Sequence, residues 1–170
     1  EVISRLNTIR PYILEINKKE FTEKIKSLLI TLWTDVQKFT DYYLIKENIL
    51  FPLIEKNIAD YRCIAVMWSV HDDIRRNINE LLDILKFDNT DLQRLNRLTG
   101  DIFYNIYTII FREERLLYPY IQKFVPTDEI EAIWNESIES GFPYINPPKK
   151  ENAIEENKIP SELIDMKSGQ

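Results

Sequence analysis

Glycine is scarce, at three residues in 170. A chain with so few cannot supply the left-handed turn positions that an all-β or loop-rich fold needs. Cys63 is the sole cysteine, which excludes an internal disulfide and a thiolate zinc cluster. His71 is the sole histidine, so no imidazole-rich centre can be assembled within one chain. No apolar run approaches the roughly twenty residues of a membrane span. With no secretory leader visible, a cytoplasmic protein without a membrane partner is expected. An excess of positive charge is missing too. The formal net charge of -6 offers no basic face to nucleic-acid phosphates, so no nucleic-acid partner is expected. There is no P-loop, no dinucleotide glycine pattern and no Ser or Cys nucleophile motif beside a histidine. The chain reads as a non-enzyme.

What is abundant is helical pattern. With 44% hydrophobic and 29% charged residues, the composition is that of a soluble globular domain with a real core. Val2, Leu6, Ile9, Ile13 and Ile16 recur at helical steps. Pro11 predicts that this first segment is kinked or begins late. A second stripe runs through Phe21, Ile25, Leu28 or Leu29, Leu32, Val36, Phe39 and Tyr43, and its next step is Glu47. A third holds Ile64, Met67 or Trp68, His71, Ile74, Ile78, Leu81 and Leu85. The fourth holds Leu95, Leu98, Ile102, Ile106, Ile109 or Ile110, Glu113 or Glu114, and Leu117, with Asn89, Thr90 or Asp91 as its cap. Short loops between four such helices predict an all-α antiparallel four-helix bundle over residues 1–125. A short packing helix is expected in 126–142, with Asp128 and Glu131 at capping-box spacing and Gly141 as its stop. Residues 143–170, rich in Pro, Lys, Glu and Asn, read as an extended linker.

One internal repeat stands out. YLIKENILFPLIEK at residues 43–56 returns sixty-seven residues later, from position 43 to position 110, as IFREERLLYPYIQK. Each copy carries a carboxylate, Glu47 or Glu114, and closes on aromatic-proline, Phe51-Pro52 or Tyr118-Pro119. The repeat predicts pseudo-two-fold symmetry with both carboxylates facing inward. Glu113 competes with Glu114 for the inward position, and periodicity does not choose between them.

Two segments, KENILFPLIEK at 46–56 and VMWSVHDDIR at 66–75, resemble the hemerythrin-like (HHE cation-binding) domain. The resemblance is closest to a prokaryotic branch in which that domain precedes a PAS sensor domain. EERLLYPYIQ at 113–122, the stretch 129–141 and the ending IDMKSGQ are also similar to that branch. The resemblance implies iron or another divalent metal held inside the bundle. On it, Glu47, Glu114 or Glu113, and His71 are the metal ligands. The pattern departs from the family where histidines are wanted: Tyr43 stands four before Glu47, Ile110 four before Glu114 and Met67 four before His71.

Two readings of the cluster follow. It is a reduced metal site, or it is a metal-free buried network in which Tyr43 or Tyr104 donates to a carboxylate and His71 bridges. For His71 alone, a core histidine, a metal ligand and an axial haem ligand are the alternatives. Trp33, Trp68, Tyr104, Tyr107, Phe111 and Tyr118 read as core packing, and Cys63 as a small buried hydrophobe. Asp72 and Asp73 are expected to pair with Arg75 and Arg76 at the surface. The resemblance implies a degenerate regulatory or sensory module joined to a PAS domain in the same full-length chain. The alternatives are a ligand-free scaffold or homodimerisation bundle, and a non-haem iron protein binding oxygen or nitric oxide.

Overall fold

The computed structural model describes residues 1–18, 21–87 and 90–147. All regular structure among them is helical: α1 (Val2–Ile16), α2 (Glu23–Gln37), α3 (Thr40–Ile45), α4 (Phe51–Asn57), α5 (Arg62–Lys86), α6 (Leu92–Arg112), α7 (Tyr118–Phe124) and α8 (Thr127–Glu139). Two π-helical turns, Lys46–Leu50 and Glu113–Leu117, join α3 to α4 and α6 to α7. The helices form a bundle in which α1 packs on α2 and α6, α2 on α5, and α5 along α6. The four stripes meet in one core that includes Leu6, Trp33, Val36, Ile74, Ile78, Leu98 and Ile102.

The start and stop signals act as their chemistry dictates. Asp91 caps α6 by accepting the Arg94 N–H at 3.0 Å, and Thr22 caps α2 in the same way. Gly141 adopts φ 78° just past α8, the left-handed conformation that ends a helix. Asp128 makes no cap, contrary to expectation: it lies in the first turn of α8, which begins at Thr127 directly after Pro126. Likewise α1 starts at Val2 and carries Pro11 inside it.

The wide turns have a local cause. Pro52 and Pro119 have no N–H to give the carbonyl four residues back, and their rings crowd it. Each turn opens instead to a five-residue hydrogen bond, from Phe51 N–H to the Lys46 carbonyl and from Tyr118 N–H to that of Glu113. A four-residue step overshoots an ordinary turn of 3.6 residues. The wider turn absorbs the overshoot, so Tyr43, Glu47 and Phe51 all stay buried on one face. Ile109, Glu113 and Leu117 do the same on the other side.

Several expectations for single residues are corrected. Trp33 is core, edge-on to Phe103, but Trp68, Tyr104, Tyr107 and Phe111 are exposed. Trp68 loses the inward slot to its neighbour Met67, while positions 104, 107 and 111 share an outer face of α6. Cys63 is exposed, one residue short of the inward Ile64. Of the expected linker, only residues 143–147 are described. There the Tyr144 hydroxyl donates to the Asp35 carbonyl at the end of α2, and the Arg5 guanidinium lies 3.5 Å from its ring centre. The sequence 148–170, with the PAS-like ending, lies outside the described residues.

Candidate functional site

The repeat places its two halves face to face. Lys46 and Glu113, the first residues of the two wide turns, are separated by the same 67 positions as the repeat and form a buried ion pair. The side chains beside them differ. Glu47 is buried at 4% exposure under α5, whereas its repeat equivalent Glu114 is exposed. Glu113, also at 4%, is the inward carboxylate of the second half. The expectation that Glu114 faces the interior is therefore corrected.

His71 holds the centre. Its Nδ1 lies 2.8 Å from Glu47 Oε1, and since a carboxylate only accepts, Nδ1–H is the donor. The ring is sandwiched between Tyr43, 4.0 Å away centroid to centroid, and Phe51, at 5.7 Å. The face 43–47–51, kept in line by the wide turn, thus clasps the imidazole from both sides and bonds its edge. Nε2 is buried without a hydrogen-bond partner among the described residues and points to Glu113 Oε1 from 4.0 Å. The Tyr43 hydroxyl is similarly buried and unpartnered.

Both carboxylates are bound to cations that the chain itself provides. Arg75 donates to Glu47 Oε1 at 2.7 Å and Oε2 at 2.9 Å, and also to Asp72 at 3.0 Å. Arg76 pairs with Asp73 as expected, but Arg75 reaches inward as well. The Lys46 ammonium rests on Glu113 and over the rings of Tyr42 and Tyr43, at 4.2 and 4.8 Å. Tyr118 completes this side, its hydroxyl 2.8 Å from that of Tyr42 and 3.4 Å from Glu113 Oε2. Tyr104 takes no part, being exposed.

These positions perturb the titrating groups. Burial pushes the Glu113 carboxyl up, but the nearby His71 ring and the Lys46 ammonium bonded to it outweigh that, leaving its pKa below the ordinary 4.5. Burial lowers the Lys46 ammonium below its usual 10.5, with Glu113 opposing. Burial and then Glu113 raise the Tyr118 and Tyr43 hydroxyls, so both stay protonated. A depressed carboxyl contributes stability that is fully present above the ordinary 4.5 and is lost as pH falls through the folded value. The protein is therefore expected to lose thermal stability below about pH 4.5. Melting curves across pH 2.5–6 check it: Glu113→Gln should show a shallower acid slope than the parent protein.

A metal placed among Glu47, His71 and Glu113 does not fit this donor set. It would face an ammonium on one carboxylate and a guanidinium on the other, and of these three side chains the one buried atom with no partner among the described residues is His71 Nε2. Among the described residues, no three His, Cys, Asp or Glu side chains come together as donors for an ion. Lys46 and Arg75 are the two members of the cluster that periodicity missed. Lys46 reads as part of a charged turn and Arg75 as a surface partner. The signal was present in the repeat, whose 67-residue offset links Lys46 directly to Glu113.

A cavity of about 390 Å³ opens on this cluster, lined by Tyr42, Glu113 and Tyr118 together with Phe142 and Tyr144. A family model described as the hemerythrin HHE cation binding domain matches residues 5–121. No curated protein matches the chain.

Proposed function

Because this chain belongs to the hemerythrin HHE cation-binding domain family, we propose that it is a regulatory module in which internal cations have taken over the charge of the family's metal. The module is non-enzymatic, an antiparallel four-helix bundle of cytoplasmic location, and passes its state to a following PAS domain. The observation that carries this reading is the pairing of both inward carboxylates with Lys46 and Arg75. A histidine-poor cluster arranged in this way has no need of iron to satisfy its carboxylates.

Contacts leading out of the cluster support a signalling role. Glu113 binds the Tyr118 hydroxyl, Tyr118 meets Tyr42, and the Tyr42 ring lies 6.1 Å from that of Phe142. Phe142 leads into Tyr144, which is tied to the end of α2. Protonation of Glu113, or a cation competing with Lys46 for it, loosens the pair that joins the two wide turns. The change is then felt where the chain leaves the bundle.

The test is metal content together with hydrogen exchange. Protein purified without chelator is expected to carry no stoichiometric metal, and its melting is expected to ignore both chelator and added ferrous iron. Glu113→Gln is expected to speed amide exchange in residues 142–147 by about tenfold, the equivalent of about 1.4 kcal/mol of local stability. Stoichiometric iron that is lost in His71→Ala, or exchange unchanged in Glu113→Gln, sinks the reading.

A further inference from the structure

The repeat that builds the interior also organises the surface, and there one half is covered while the other is bare. Helix α8 packs on the first wide turn, and its Glu129 accepts from Lys56 Nζ and Asn57 Nδ2, each at 2.9 Å. On this half Ile49 is 7% exposed and Leu53 8%. Shifting by the repeat offset of 67, the equivalents on the second half are Leu116 and Tyr120, exposed at 63% and 39%. With Val66 and Phe124, also exposed, they line a groove of about 670 Å³ between α5 and α7. Lys123 stands there where Lys56 stands in the first half. The two halves share a face, and among the described residues only the first has a helix seated on it.

The charge around the groove specifies the missing occupant. Arg112, Arg115 and Lys123 are among its lining residues, and its one acid, Asp60, is held by Arg62 at 2.7 and 2.8 Å. The helix on the first half has the opposite character. Residues Thr127–Glu139 contain five acids and no base, and Ile130 and Ile133 pack on the core. A second copy docking groove to groove would bring the cationic rims together, which opposes self-association through this face.

We infer that this groove is the docking site for an acidic amphipathic helix of a partner protein, seated on the second half as α8 is on the first. Anchors at i, i+3 and i+4 fill the space between Val66, Leu116 and Tyr120, and a carboxylate near the start of the helix meets Lys123. A contiguous apolar surface rimmed by charge of one sign is the usual form of such a site.

Cys63 lines the groove, is exposed and is the only cysteine of the chain. Its thiol therefore reports directly on whether the groove is covered. The probe is a synthetic peptide with the sequence of residues 126–140, added to the full-length chain. A free peptide of this length is poorly helical, so binding on the order of 10–100 μM is expected. At saturation, Cys63 labelling by an aromatic disulfide reagent is expected to slow about fivefold or more, because the bound peptide excludes the reagent. Leu116→Glu is expected to abolish the protection. Lys123→Glu is expected to weaken binding about fivefold, roughly one surface charge pair. Both sites are exposed, so melting should be unchanged in either variant.

Failure of the peptide to protect Cys63, or equal protection in Leu116→Glu, overturns the inference. It is also overturned if chain cut after Pro147 labels much faster than the full chain, since the occupant is then the protein's own C-terminal segment. Protection that rises with protein concentration, alongside a dimer in sedimentation, assigns the groove to a second copy and overturns it equally.

Discussion

Lys46→Met is expected to destabilise the protein by about 3–5 kcal/mol, the usual cost of leaving one member of a buried ion pair alone. Glu113 has almost no access to water. Without the ammonium it keeps a hydroxyl at 3.4 Å and an imidazole at 4.0 Å, too little to hold a charge in that place. Its carboxyl will then protonate at a pH well above its present range, and the acid slope will move upward with it. The double variant Lys46→Met/Glu113→Leu is expected to recover most of the loss, since a buried pair and a packed apolar pair of similar volume differ little in stability. For a chain of this size the single variant should melt roughly 10 °C lower or more, and the double variant within a few degrees of the parent. Denaturant melts on the four members of this cycle measure the coupling directly. A single variant as stable as its parent shows that Glu113 has another partner and removes the basis for internal charge compensation.

The second large effect lies at His71. Truncating it to alanine removes the middle of a three-ring stack and opens a cavity between Tyr43 and Phe51, at a cost of about 3 kcal/mol. His71→Phe keeps the stack and should cost only about 1–2 kcal/mol, because Glu47 retains two hydrogen bonds from Arg75. The order of the two variants separates packing from ligation. A residue whose main task is to hold a metal loses that task equally in both, and metal-dependent melting disappears in both. A histidine held for its ring tolerates phenylalanine far better than alanine. Thermal melts with and without chelator distinguish the cases.

Periodicity found the elements whose burial is governed by apolar side chains. The stripes of α5 and α6 appear in the structure nearly residue for residue, because a 3.6-residue repeat of Ile and Leu has only one face to bury. The site was harder to read for two physical reasons. A wide turn changes the angular step, so counting at 3.6 residues could not separate Glu113 from Glu114. Pro52 and Pro119 mark where that change occurs, in both halves, and they are visible in the sequence. The second reason is that hydropathy patterning treats lysine and arginine as surface residues. Lys46 is buried because its partner sits at the matching position of the other half, a relation that only the repeat reveals. Arg75 sends its guanidinium inward to Glu47 while about a quarter of its side chain, 24%, stays exposed, and an apolar count does not register such a residue. The exposed aromatics of α6 failed the core expectation for a related reason: their i, i+3, i+7 spacing is helical, but the face they share is not the core face.

Any chain repeated faithfully at this offset sets identical side chains opposite one another across its internal axis. Two glutamates there repel and call for a divalent ion between them, and two lysines call for an anion. One lysine facing one glutamate needs neither. Position 46 therefore decides between an exogenous counter-ion and a built-in one. A single exchange, Lys46→Glu, turns a self-sufficient interior into one whose folding depends on the ionic composition of its surroundings.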